Sequence, residues 1–233
     1  MADYLFRLRQ RERVFRCNIQ RAKSLATTAR SMRSSDTECG DEDSSGADIS
    51  RDLASFSVVA AVASIDELVK SIYCDTLCAY LKGEYEPLAV IKATIPVAAA
   101  RAMMDAQARG DAVNIGLLST LAQTAIFKEN DRTNFQNSAS ISKALRSLGA
   151  PRLSECVKNY VGSHDVAKDT CTGFDKIAHC RHIVVHRLSV ETLSVEGDTA
   201  ASNSRAPLSA DEAEIVENLG LAIVHSLADQ ATS

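Results

Sequence analysis

The sequence predicts an all-α helical bundle with a long N-terminal helix, and three observations predict it. Helix breakers are scarce, with only 10 Gly and 4 Pro in 233 residues. Alanine-rich runs such as Ala98-Ala99-Ala100-Arg101-Ala102 favour helix by intrinsic propensity. Apolar residues recur at steps of three and four over long stretches, the period of a helix with one buried face. Trp is absent and aromatic residues make up 5% of the chain, so the core is expected from Leu, Ile, Val and Ala. A chain of this length can bury such a core.

Residues 1–32 read as an N-terminal amphipathic helix. Tyr4, Leu8, Phe15, Ile19, Ala22 and Ala26 recur at steps of three, four and seven and form one stripe. The other faces carry Arg7, Arg9, Arg11, Arg13, Arg16, Arg21, Lys23 and Arg30. Such a charge run fits a solvated face, with an RNA-facing surface as the alternative. Residues 33–50 are rich in Ser, Asp, Glu and Gly and read as a flexible acidic loop, either a solubilising linker or a cover for a basic cleft.

Residues 51–230 are expected to form a helical domain that includes the N-terminal helix in its packing. Its first helix runs from Arg51 to about Lys82, with Leu53, Phe56, Val59, Ala60, Ala63, Leu68 and Ile72 as apolar positions. The small residues Ala60, Ala61, Ala63 and Ser64 let a neighbouring helix come close. Asp66 lies among them and must be paired or face outward, because an unpaired buried charge is too costly. Cys74 and Cys78 are one turn apart without companion ligands and read as core cysteines.

Gly83 and Pro87 break the chain, and a helical segment is expected over about Leu88 to Gln107, kinked at Pro96. Leu117 to Phe127 is a short apolar segment. Phe135-Gln136-Asn137-Ser138 precedes an amphipathic stretch through Ile141, Leu145 and Leu148, which Gly149-Ala150-Pro151 stops. A hydrophilic stretch from Val161 to Thr170 leads to a helix over about Phe174 to Leu188. After a loop at 196–207, Asp211 to about Ala228 form the last helix. Ser209 caps it, with Glu212 completing a capping box.

The formal net charge of −4 argues against a protein that coats nucleic acid, but leaves room for a small basic cleft. No apolar run reaches the length of a membrane span, and Met1-Ala2-Asp3-Tyr4 leads into an Arg-rich segment and not a secretory core. Seven cysteines, an odd number without paired spacing, fit a reducing cytoplasm. A cytoplasmic location without a membrane partner is the expectation.

The chemistry concentrates in His179-Cys180-Arg181-His182-Ile183-Val184-Val185-His186-Arg187. An imidazole moves a proton near neutral pH, and a guanidinium grips phosphate through parallel hydrogen bonds. On an ideal helix Ile177, Cys180, Val184 and Leu188 line a core-facing side, while His179, His182 and His186 form a stripe on the far side. Ile183 and Val185 flank both, so the histidine side wants cover, which a second copy related by a two-fold axis can supply. Arg181 and His186 do not project in one direction, so the arginine reaches around or the pair completes itself across a dimer.

Three readings stand at this point. The histidines are structural; or His182, His186 and Cys180 bind a metal; or the segment does general acid/base chemistry with arginine as an anion clamp. The metal reading lacks a local carboxylate, and Ile183 occupies the place of the Glu in H-E-x-x-H. No acidic residue lies between Lys176 and Val190, which suits a phosphate.

Arg181-His182-Ile183-Val184-Val185-His186 resembles the R-x4-H motif of HEPN domains. Ser57-Val58-Val59-Ala60-Ala61-Val62-Ala63-Ser64-Ile65-Asp66 resembles a helix of the RiboL-PSP-HEPN group. Phe135-Gln136, followed by Ile141, Leu145, Leu148 and Gly149, resembles the FQ stretch ahead of that group's motif helix. R-x4-H alone is a weak signal, but three blocks in order over about residues 50–190 are more specific.

The resemblance implies an all-α bundle that dimerises. It also implies a metal-independent endoribonuclease acting as a toxin or effector in bacterial antiviral defence, in toxin–antitoxin pairs or in RNA-related operons. The alternative within the family is an inactive adaptor that binds nucleotide or a partner protein. Leu188 and Leu68 stand where the family often has Tyr, so regulation through a tyrosine after the motif is not implied.

On this resemblance the expected catalytic residues are Arg181, His186 and His182, with further substrate contacts from Arg187, Lys176 and His179. Asp66 is the candidate support, fixing a histidine tautomer if it reaches the cleft. RNA is the expected partner, with an antitoxin or operon partner besides, and no metal or cofactor is called for, because the 2′-hydroxyl of RNA is itself the nucleophile.

Overall fold

The computed structural model describes residues 2–36, 44–92, 97–109, 134–191 and 206–232, and every regular element among them is an α-helix. Helix α1 spans Ala2–Asp36 and α2 spans Ser44–Leu81. They form an antiparallel hairpin, the most extensive helix pairing among the described residues. The α1 stripe of Tyr4, Leu8, Phe15, Ile19, Ala22 and Ala26 is buried throughout, as its spacing requires. Facing it on α2 are Ala54, Val58, Ala61, Ile65, Leu68 and Ile72. Fully buried alanines on both helices allow the close approach.

Polar pins hold both ends of the hairpin. At one end the Tyr4 hydroxyl bonds Thr76 Oγ1 at 2.8 Å, and Arg11 Nε donates to Asp75 Oδ2 at 2.7 Å. At the other, buried Ser50 donates to the Ala29 carbonyl at 3.0 Å and accepts from Arg33 Nε at 3.2 Å. These contacts correct the expected loop at 33–50. Its first residues complete α1, its last ones open α2, and only 37–43 fall outside the described residues. Polar residues extend a helix where the fold supplies their partners, which composition alone does not reveal.

The same accounting applies to the arginine-rich faces of α1. Arg16 reaches Glu12 at 2.9 Å and Glu217 at 3.2 Å, Lys23 reaches Glu217 at 2.7 Å, and Arg30 donates to the Leu208 carbonyl at 3.0 Å. Together with Arg11, these cations bind the chain to itself.

Helix α2 ends in a left-handed turn at Gly83, where Glu84 N–H returns to the Ala79 carbonyl at 2.8 Å. The expected helix over 88–107 is shorter: residues 85–92 are not helical, and α3 spans Val97–Ala108. The reason is that the earlier segment bonds elsewhere, Lys92 N–H donating to the Ser147 carbonyl at 2.8 Å. The apolar segment 117–127 lies outside the described residues.

Helix α4 spans Ser138–Ser147, with Asn137 as its N-cap accepting from Ser140 N–H at 2.7 Å. It stops at Gly149, whose φ of +69° and close approach to the Ala89 carbonyl exclude a side chain. Helix α5 spans Leu153–Val161, which the sequence reading passed over. Helix α6 spans His164–Glu191, so most of the expected hydrophilic stretch at 161–170 is helical. Ala167 and Thr170 are buried there, one turn apart, against exposed neighbours.

Helix α7 spans Ala210–Thr232 and begins at the expected capping box: Ser209 N–H donates to Glu212 Oε2 at 2.9 Å, and Glu212 N–H to Ser209 Oγ at 3.0 Å. Leu219 through Val224 are buried in succession, so the middle of α7 is enclosed on all sides, and the helix packs against α1, α2, α5 and α6. One apolar cluster takes residues from α1, α2, α4, α5, α6 and α7. No described helix is long and apolar enough to cross a membrane.

Candidate functional site

Helix α6 changes character along its length, and the change places the site. One face of its first half lies in the core: Ala167, Phe174, Ile177 and Ala178 are buried at helical spacing. From Cys180 onward the burial loosens, with Cys180, Arg181, Val184 and Val185 half-buried and Ile183 36% exposed. Arg181 therefore stands half-buried where the helix leaves the core.

The partner of its guanidinium comes from far along the chain. Arg181 Nη1 donates to Gln136 Oε1 at 2.9 Å. Gln136 belongs to the segment 135–138, which leads into the first residue of α4 and is tied down at both ends. Phe135 is buried, and its N–H donates to Asp66 Oδ1 on α2 at 2.8 Å. The other Asp66 oxygen takes Lys70 Nζ at 2.5 Å, one turn further along α2. Ser138 donates both its N–H and its hydroxyl to the Asp175 carboxylate on α6, each at 2.7 Å. The segment is thus strapped between α2 and α6, with Gln136 held against Arg181.

Asp66, Phe135-Gln136 and Arg181 are the sequence blocks singled out above, and the fold joins them through these direct bonds. The half-buried carboxylate at 66 is paired, as partial burial of a charge favours. Its described bonds go to Lys70 and the Phe135 N–H, not to a histidine, so the support it gives acts on the strap.

His179 and His182 are exposed, as is Lys176. Counted at about 100° per residue, Asp175, His179 and His182 fall on one broad side of α6 and Arg181 on another. The strap bonds to both sides, to Asp175 through Ser138 and to Arg181 through Gln136. The side chains of His186 and Arg187 lie outside the described residues, although α6 runs through both positions.

A cavity of about 410 Å³ opens between α1 and α2, lined by Asn18, Arg21, Ala60, Ala63, Ser64, Asp66 and Glu67. Asp66 is the residue it shares with the strap anchorage. Among the described residues no group of three or more His, Cys, Asp or Glu is arranged to hold a metal ion. Cys74 and Cys78 are core thiols, both pushed above the usual thiol range, chiefly by burial and secondly by the Asp75 carboxylate. Cys171 is raised as well, by burial first and the Asp175 charge second.

Sequence reasoning missed Gln136 as the arginine's partner, and with it Lys70 and Asp175. Asp175 carried a faint signal, an acidic residue directly after buried Phe174. Compared with family models, curated proteins and solved structures, the chain matches none.

Proposed function

We propose that this protein is a metal-independent endoribonuclease of the HEPN type, acting on single-stranded RNA as a homodimer. One observation carries the reading. Three blocks separated by long stretches of chain, each resembling a HEPN sequence block, meet through hydrogen bonds around Arg181. Helices α2 and α6 supply the frame, and the histidine side of α6 is exposed at His179, His182 and Ile183, the side a second subunit would cover.

In this reading Arg181 holds the scissile phosphate and stabilises the charge that develops on it, the kind of term that dominates such catalysis. His186 takes the proton of the 2′-hydroxyl as that oxygen attacks phosphorus. The bond to the 5′-oxygen breaks, and His186 of the partner subunit gives that oxygen a proton. The products are a 2′,3′-cyclic phosphate and a free 5′-hydroxyl. His182 shares the phosphate, while Lys176, His179 and Arg187 contact the flanking backbone. DNA has no 2′-hydroxyl and stays intact.

The test is purified protein with RNA in excess EDTA. Cleavage leaving 2′,3′-cyclic phosphate ends, lost in Arg181→Ala and His186→Ala variants that still fold, is the expected result. RNA left intact at high protein concentration overturns the nuclease and leaves the adaptor reading, in which the same face binds nucleotide or a partner protein.

A further inference from the structure

Several arginines of this fold are matched with carboxylates, whereas Arg30 donates to the Leu208 carbonyl and Arg33 to the Ser50 hydroxyl. Arg11 meets Asp75 at 2.7 Å, Arg16 meets Glu12 at 2.9 Å, and Arg51 meets Asp48 at 3.0 Å. The hydrogen bond from Arg11 to the Asp75 carboxylate is the first cause that raises the Arg11 pKa, against burial, which lowers it. Arg181 belongs with Arg30 and Arg33: its described acceptor is the neutral side-chain carbonyl of Gln136, at 2.9 Å.

The distinction matters chemically. A carboxylate both aims a guanidinium and cancels its charge, whereas an amide only aims it. Guanidinium has five N–H donors, so a single bond to an amide leaves a fork for a second, anionic acceptor. The carboxylates that anchor the segment carrying Gln136 are occupied. Asp175 binds Ser138 twice, and Asp66 binds Lys70 and the Phe135 N–H. Those same bonds immobilise the backbone on either side of Gln136, so its side chain is delivered from a fixed base.

We infer that Gln136 is a positioning residue, which aims the Arg181 guanidinium while leaving its full charge for the phosphate of a polynucleotide. The inference rests on the ribonuclease reading and adds to it a residue that touches no reacting atom. It separates two roles of the contact, direction and charge, and two substitutions separate them experimentally. Gln136→Glu keeps the shape and the hydrogen bond but neutralises Arg181. Gln136→Leu removes the acceptor and leaves the charge.

The experiment measures two quantities on the full chain: single-turnover cleavage of a single-stranded RNA, and the salt dependence of affinity for its uncleavable 2′-O-methyl counterpart, read by fluorescence anisotropy. In Gln136→Glu cleavage falls about tenfold or more, and the slope of log affinity against log salt drops by about 0.7, the loss of one single-strand phosphate contact. Arg181→Ala gives the same loss of slope. In Gln136→Leu the slope stays at the wild-type value while cleavage falls roughly ten- to a hundredfold through misplacement.

A purely structural role moves neither slope nor the split between the two variants. An active wild type whose Gln136→Glu form retains its rate and slope overturns the inference alone. If Gln136→Glu does not fold, Gln136→Leu decides: a wild-type cleavage rate in that variant overturns the inference. A wild type that leaves RNA intact overturns the ribonuclease reading and the inference with it.

Discussion

Removing the Asp66 carboxylate isolates the strap, and the structure fixes how large the effect should be. Asp66→Ala deletes two bonds. The first is charge-assisted and half-buried, from the Phe135 N–H at 2.8 Å, and bonds of that kind are worth about 1.5–3 kcal/mol. The second is the pair with Lys70, one turn along the same helix, with both side chains partly exposed at 22% and 14%. Solvent screening reduces such a pair to about 0.3–0.5 kcal/mol.

The expected loss is therefore about 2–3 kcal/mol, dominated by the backbone bond. For a chain of this size that lowers the melting temperature by roughly 4–12 °C. Lys70→Met removes only the lesser bond and should lower it by about 2 °C or less. Far-UV circular dichroism melts compare the three proteins, and hydrogen exchange reports the Phe135 amide directly: protected in wild type and Lys70→Met, exchanging in Asp66→Ala. If Asp66→Ala and Lys70→Met melt together with the Phe135 amide still protected, the strap is not anchored as described.

Two further predictions follow from packing and burial. An added Cβ at Gly220 lies 2.3 Å from Cζ of the buried Phe15 ring, so Gly220→Ala should lose about 1–3 kcal/mol by overpacking. That outweighs the gain in helix propensity, and adding Phe15→Leu should recover part of the loss; a melting temperature above wild type refutes the contact. Burial pushes the thiol of Cys156 up to about 11 and that of Cys74 up to about 12, from 9.0 in the unfolded chain. The folded state keeps these protons longer, so their contribution is fully present below about pH 9 and is lost as pH rises toward about 11–12. Denaturant midpoints at about pH 8 and about pH 11 check it, and equal midpoints refute it.

Much of this architecture was legible because burial imposes a period. The α1 stripe, the capping box ahead of α7 and the stop at Gly149 each leave a local pattern that a single segment displays. The elements that were missed or misdrawn lack one. Helix α5 buries little beyond Leu153, Cys156 and Val157, too few positions to show a period. The opening turns of α6 bury only Ala167 and Thr170 among exposed residues, which reads as a loop. At the site, the motif arginine was visible, but its acceptor lies 45 residues away and Ser138 lies 37 residues from Asp175. Single hydrogen bonds across such distances have no counterpart in composition or periodicity.

The direction in which Arg181 is held bears on why the proposed reaction needs two chains. Five residues separate Arg181 from His186, which turns the two positions about 140° apart and displaces them by about 7.5 Å along α6. Gln136 fixes the guanidinium toward the strap, so it cannot swing around the helix to join the histidine side without giving up that bond. In-line attack on phosphorus also sets the entering 2′-oxygen and the departing 5′-oxygen on opposite sides, so the base and the acid must approach from opposite directions. A single α6 offers its histidines on one side only. Two copies facing each other across a two-fold axis place a histidine on either side of the phosphate and bring an arginine in from each flank, without bending either helix. In the proposed reaction, the strap that immobilises Arg181 in one chain is thus what calls for the second chain.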